Sequence, residues 1–471
     1  MKIITNFYFA VLGVFLFAVE AGADVKLPAV FNDNMVLQQQ SQVDVWGWAK
    51  PHTNVSVTGS WNRKTYSAKS DANGYWRLKI ATPAAGFTPY SLTVSDGKAV
   101  TISNILIGEV WLCSGQSNMQ MSMEGLADEP VAGGPEAIIL SSNPGIRCFT
   151  MGRTANTKPQ DDCTGEWEMA NPQTTPGFTA AGYFFARLLN QVLNVPVGLI
   201  HASWGGTAIE AWMTPNALKD IPEKPLPAPD VDIKIPVTVP TTLYNSMIHP
   251  ITGFGMRGVI WYQGESNSYE PALYVKMFDA MVREWRHLWN LGEFPFYYCQ
   301  IAPFNYGGSI NTAYMREAQA KGMTTTPHTG MAVLMDAESP HSIHPSKKRD
   351  AGERLALWAL AKTYGMENIN YRSPTFKSLE MEGRVAVLTF DTDDYPGLTA
   401  YGKEILNFRI AGDDRQFYPA KAACSGNKVY VFSPFVAKPV AVRYCWDNTS
   451  ATELFSSKSN LPVSSFRTDE W

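Results

Sequence analysis

From Ile105 to about Gly365, short apolar runs alternate with longer helix-like segments, and this alternation restricts the fold more than any other feature of the chain. The runs ILIGEVWLCS, PVGLIHAS, RGVIWYQG, FPFYYCQIA and GMAVLMDA are continuous in their apolar character. Strands covered on both faces read that way, whereas strands with one wet face alternate. Between them lie AAGYFFARLLNQVL, ALYVKMFDAMVREWRHLW, TAYMREAQAKG and SKKRDAGERLALWALAKTYG. A strand-helix-strand rhythm of this kind predicts an α/β domain with a mainly parallel sheet and helices on both faces.

The flanks carry a different pattern. Over residues 24–104, short alternating runs such as VDVWGWA, VSVTGSW and YSLTVSD are punctuated by the turn signals DANG and SDG, which predicts a small β-domain. The α/β centre is taken as 105–365. A Pro-rich insert at about 220–242 interrupts it and reads as an extended surface loop. From about Ser373 the β-pattern returns (VAVLTFD, KVYVFSP, AVRYCW), so 366–471 is expected to form a C-terminal β-rich domain. A chain of 471 residues has room for these three units. A net charge of −4 leaves no basic footprint for nucleic acid.

The N-terminus, MKIITNFYFAVLGVFLFAVEAGADV, has Lys2, an apolar run from Ile3 to Val19 and the small residues Ala21, Gly22 and Ala23. That is the layout of a secretory signal peptide (1–23) cut after Ala23, which predicts a periplasmic or secreted protein with no stable membrane association once the leader is gone. Export permits disulfides. Among the six cysteines, Cys424 and Cys445 lie in successive strand-like segments and are candidates to pair, while Cys113 and Cys299 read as buried apolar residues.

Loops at the carboxyl ends of parallel strands share one crevice, so chemistry is sought there. Four such loops stand out: SGQSNM, HASWGGTAIEAW, WYQGESN and MDAESPHSIHPSKK. They bring a serine at a strand-to-helix turn (Ser117), a Gly-Gly turn able to aim N–H groups (Gly205, Gly206), a carboxamide (Gln263) and a histidine (His344). A serine nucleophile, a proton-accepting imidazole and N–H donors for an oxyanion are the parts of an acyl-transfer site. Other readings of the same residues exist: Ser117 as an N-cap, His341 and His344 as a His-x-x-His metal pair, Glu210 and Glu265 as a glycosidase pair, and Trp204, Trp212 and Trp261 as sugar-stacking or core residues.

The blocks GEVWLCSGQSNM, GLIHASWGGTAIEAW, IWYQGESN and SIHPSKKRDAGERLAL, in that order, resemble those of the SGNH-hydrolase superfamily, and more narrowly its bacterial sialate O-acetylesterase and carbohydrate-acetylesterase branch. The resemblance implies a flavodoxin-like α/β/α hydrolase core. It implies Ser117 as nucleophile, His344 as base, and an oxyanion hole from the N–H groups of Ser117 and Gly206, with Gln263 as third donor and Asn267 as a weaker candidate. The implied substrate is O-acetylated sialic acid, with other acetylated poly- or oligosaccharides as the alternative and a non-catalytic sugar-binding protein as a further one. An acyl-serine route needs no metal and no organic cofactor. One feature departs from the family pattern. Relatives carry an aspartate two or three residues before the histidine, and here those places hold Ser342 and His341. The residue orienting His344 is then Asp336 or Glu338 folding back from the same loop, or a neutral acceptor (Ser342 or a backbone carbonyl), and the expectation adopted is a Ser-His dyad.

Overall fold

The computed structural model describes residues 25–229, 231, 233, 236–337, 341–392 and 397–471. Residues 1–23, expected to be a signal peptide, and Glu338 therefore lie outside the described residues.

The protein is a mixed α/β structure built on one large sheet, with additional β-sheets at both ends of the chain. The central strands are β1 (Ala99–Gly115), β2 (Asn143–Thr150), β3 (Trp167–Ala170), β4 (Val197–Ser203), β5 (Gly258–Tyr262), β6 (Phe296–Cys299) and β7 (Thr329–Ala332). Their order across the sheet is β7-β6-β5-β1-β4-β2-β3. Every neighbouring pair on this path is parallel except β2 with β3, which is antiparallel. The registers set the site. Gly115, the last residue of β1, is level with Ser203 at the end of β4 and Tyr262 at the end of β5. The three following loops thus leave the sheet side by side.

β1 is longer than the pattern suggests. Its first half pairs antiparallel with Gly86–Ser95, and its second half is the middle strand of the central sheet. The change in sequence pattern near Asn104 falls inside one strand, with no linker. Asn104 sits there in the left-handed region (φ 54) beside a register shift, which bends the strand. The guanidinium of Arg147, fully enclosed, donates to the carbonyls of Asn104 and Asn34 and so holds the bend.

Helices cover the sheet as their sequences dictate. In α2 (Ala180–Leu193), Thr179 accepts from the Gly182 N–H at the start, and Asn194 ends the helix in the left-handed region. In α3 (Pro271–Trp289), proline sits at the first turn and the buried face runs through Tyr274, Met277, Phe278, Met281, Val282, Trp285 and Trp289, at helical spacing. Helix α4 (Ala313–Thr325) precedes β7, and α5 (Lys348–Trp358) follows the loop that carries His344. Trp212 and Trp261 pack edge to face at 6.2 Å in the core and are not sugar platforms; Trp204 is half-buried at the strand ends.

Two further expectations are settled here. All six cysteines are free, so Cys424 and Cys445 do not pair: Cys424 lies in the sheet of strand Lys421–Ser425, while Cys445 follows strand Ala441–Tyr444 of another sheet. The Pro-rich insert does not simply loop into solvent, because Val237 O accepts from the Ala208 N–H and Lys224 reaches back to Glu210 and Glu270. Among the described residues no helix is long and apolar enough to cross a membrane.

Candidate active site

The chain leaves β1 through Gly115, whose φ of +131 suits glycine and whose hypothetical Cβ would lie 2.2 Å from the Tyr262 carbonyl oxygen. Only a glycine lets the turn pass so close to β5. The short helix α1 (Ser117–Gln120) follows at once, with Gln116 at its N-cap position and no side-chain cap. Ser117 is thus the first helical residue and not a capping one. Its own N–H belongs to the helix start, where donors have no intrahelical acceptor. Among the described residues neither the Ser117 hydroxyl nor its N–H has a hydrogen-bond partner.

The loop after β4 comes up beside it. Gly205 is packed against Ser117, and its N–H donates to Gln120 Oε1 at 2.6 Å. Gly206 follows with φ +74 and open space on its free side. Its N–H has no acceptor among the described residues, so the Gly-Gly turn presents one spare donor next to the serine.

The loop after β5 is fastened down. Gln116 Oε1 accepts from the N–H groups of Gly264 and Ser266. Gln263 is wholly buried, and its amide donates to the Thr207 carbonyl at 3.1 Å and to Asn267 Oδ1 at 2.7 Å. Both amide hydrogens are spent, which corrects the expected oxyanion-donor role: Gln263 braces the Gly-Gly loop from below. Asn267 is likewise committed, accepting from the Ile209 N–H and donating to Glu210 and Glu270. Glu210 takes the Lys224 ammonium at 2.6 Å and Glu265 takes the Asn118 amide at 2.6 Å, so neither carboxylate of the suggested glycosidase pair faces the crevice as a free acid or base.

His344 lies on the loop between β7 and α5. Its Nδ1 is 2.6 Å from Glu129 Oε2, and the Ser342 hydroxyl donates to Glu129 Oε1 at 2.5 Å. Partial burial pushes the Glu129 carboxyl up, but the hydrogen bonds from Ser342 and His344 outweigh it and hold the group below the ordinary carboxylate value. An anion therefore does orient the imidazole, and the expectation of a dyad is corrected. Asp336 does not serve, because both its oxygens are bound by Arg354 at 2.7 and 2.6 Å. Ser342 touches the carboxylate instead of the ring, and also accepts from the His344 N–H. Glu129 escaped the sequence reading because it is 215 positions from its partner, in a polar LADEPV loop that looks like any solvated turn.

A cleft of about 710 Å³ is lined by Gln120, Ser122, Glu124, Arg153, His201 and Ser203 among others; Gln120 ends the Ser117 helix and Ser203 ends β4, while Ser117 and His344 themselves do not line it. Arg153 is exposed in it and has no ion pair or hydrogen bond among the described residues. His201 shares a 2.6 Å hydrogen bond with Ser203, and burial, assisted by the charge of Arg153, pushes its pKa down to about 4, so it is neutral near pH 7.

A serine at a free helix start, spare N–H donors and a histidine paired to a carboxylate, on one edge of an α/β sheet, are the features of an ester hydrolase. Residues 107–360 match the family described as carbohydrate esterase, sialic acid-specific acetylesterase. The chain belongs to that family of carboxylic ester hydrolases. It is 27% identical over 493 residues to the sialate O-acetylesterase of Mus musculus, covering 90% of each chain, and 28% identical over 494 residues to that of Homo sapiens, covering 95% of this chain and 93% of the relative. The crystal structure of a carbohydrate acetylesterase from Xanthomonas citri superposes with a TM-score of 0.86 at 39% identity, over 95% of this chain and all of that one.

Proposed function

We propose that the protein removes O-acetyl groups from sialic acid, and that Ser117, His344 and Glu129 form its catalytic triad on a flavodoxin-like SGNH core flanked by two β-domains. Ser117 Oγ attacks the acetyl carbonyl carbon while His344 Nε2 takes the hydroxyl proton. Glu129 holds Nδ1–H and stabilises the imidazolium. The developing oxyanion is met by the N–H groups of Ser117 and Gly206. Collapse breaks the ester bond and the sugar oxygen leaves with the proton from His344. Water, deprotonated by the same imidazole, then attacks the acyl-serine, acetate departs and Ser117 regains its proton. The protein is further proposed to act after export, with its leader cut behind Ala23.

The observation that carries the reading is the His344–Glu129 pair at 2.6 Å, held against the serine helix by the hydrogen bond from Asn118 to the Ile343 carbonyl. Sialate as substrate is supported by the full-length similarity to sialate O-acetylesterases and by unpaired Arg153, a guanidinium suited to the carboxylate of an acidic sugar. The higher identity to a carbohydrate acetylesterase of unspecified sugar favours a second reading, an acetylesterase for neutral poly- or oligosaccharides. The deciding experiment measures acetate release from an activated acetyl ester, O-acetylated sialic acid and acetylated xylan by wild type and Ser117→Ala. Equal release by both proteins removes the esterase assignment. Release from xylan alone selects the second reading.

A further inference from the structure

Beneath the site lies a buried polar network that the mechanism does not use. Lys348, the first residue of α5, is 1% exposed, and its ammonium donates to Asn118 Oδ1 at 2.9 Å and to the Pro345 carbonyl at 2.5 Å. Asn118 Nδ2 in turn donates to Glu265 Oε1 at 2.6 Å and to the Ile343 carbonyl at 3.0 Å. Glu265 is itself buried, with its second oxygen unpartnered among the described residues. Asn118 is the residue after Ser117, and Ile343 and Pro345 are the residues on either side of His344. The network therefore grips the main chain on both flanks of the proposed base and the helix of the proposed nucleophile.

We infer that Lys348 is a positioning residue which, through Asn118 and the Pro345 carbonyl, locks the Ser117 helix to the His344 loop, with Glu265 as the anchor from the loop after β5. This rests on the reading of Ser117 and His344 as nucleophile and base. Three loops from distant parts of the chain meet here: those carrying Ser117 and Glu265 leave the paired strands β1 and β5, but the strand before the His344 loop, β7, pairs with neither, so direct polar bonds must fix the separation of that loop from the other two. Stability is a poor reason for the arrangement. Burial drives the Lys348 ammonium down to about 7, and burial raises the Glu265 carboxyl, so both charges are strained by enclosure. Apolar side chains of similar volume generally serve stability as well or better. Directional donors and acceptors serve placement, because each link fixes a distance and an angle.

The test compares Lys348→Met, which keeps the aliphatic stem and removes the donors, with Glu265→Gln, whose amide oxygen still accepts from Asn118. Each is assayed on an activated acetyl ester, with active sites counted by a serine-directed phosphonate and the labelling rate recorded. A misplacement on the order of 1 Å costs about 100-fold in rate. Lys348→Met is expected to lose about 10- to 100-fold in kcat and in phosphonate labelling rate per folded site, with KM within about twofold of wild type. Glu265→Gln should stay within about fivefold. Should Lys348→Met not fold, Asn118→Ala, which cuts the Lys348–Asn118 link together with those to Glu265 and the Ile343 carbonyl, replaces it with at least the same expected losses. A folded variant with wild-type kcat and labelling rate overturns the inference. Ser117→Ala run in parallel separates the two claims: retained activity there defeats the triad itself, whereas loss there together with an unaffected Lys348→Met defeats only the clamp.

Discussion

Replacing Glu129 by Gln removes one charge from the proposed triad while keeping an oxygen able to accept from His344 Nδ1. The structure bounds the effect. The carboxylate oxygen sits 2.6 Å from the ring nitrogen, with the two side chains 25% and 17% exposed. Two charges about 4 Å apart at an effective dielectric near 20 attract by about 4 kcal/mol, an upper limit for a site that water partly reaches. Hydrogen bonds to a charged partner contribute about 1.5–3 kcal/mol. The imidazolium exists only while Ser117 has surrendered its proton, so the loss falls on the transition state. Glu129→Gln is therefore expected to lower kcat/KM by roughly 30- to 150-fold, or about 2–3 kcal/mol. Glu129→Ala also releases the tautomer and should lose on the order of a thousandfold or more. Asp336→Asn is the contrast: it breaks the Arg354 pair and should lower the melting temperature while leaving the rate per titrated site within about threefold. Initial rates on an activated acetyl ester, normalised by phosphonate titration with folding checked by circular dichroism, give the comparison. A Glu129→Gln enzyme within threefold of wild type per site refutes the argument that this carboxylate stabilises the imidazolium.

Three other outcomes are open to direct measurement. Arg153→Ala should raise KM for O-acetylated sialic acid about tenfold or more and leave KM for a neutral acetyl ester unchanged, and equal KM changes on both substrates would remove Arg153 from carboxylate recognition. His201 has a folded pKa of about 4, below its ordinary value of 6.5, so the unfolded chain binds a proton that the native state refuses. Its contribution is intact above pH 6.5 and declines as the pH falls toward 4, by up to roughly 3 kcal/mol. Thermal midpoints between pH 7.5 and 4.5 should thus fall less steeply in His201→Gln than in wild type, and parallel curves contradict the assignment. Gly115→Ala places a Cβ against the Tyr262 carbonyl and should cost about 3 kcal/mol or more, read as a lower melting temperature or loss of soluble protein, so a wild-type melting curve speaks against the close approach.

Much of the architecture was legible in the sequence because its signals are local. Continuous apolar runs and intervening helical segments depend on nearest neighbours, and the strand ends then fall where the runs stop, at Gly115, Ser203 and Tyr262. Ser117 was legible for the same reason, as a reactive side chain just past Gly115, and His344 as one in the loop that follows β7. What the chain alone withheld were relations between loops. Glu129 meets His344 across 215 positions, and Lys348 meets Asn118 across 230, with no spacing rule to reveal either pair. Gln263 looked like a donor because its type suits one, and only packing showed that Thr207 and Asn267 already hold both its hydrogens. The change of pattern at Asn104 falls within one strand because a strand can pass from one sheet environment to another through a bulge, keeping its ladder bonds while its neighbours change. Residue order decides which side chains each strand end carries; tertiary packing decides which of them share a hydrogen bond, since that depends on distances between elements that no local pattern encodes.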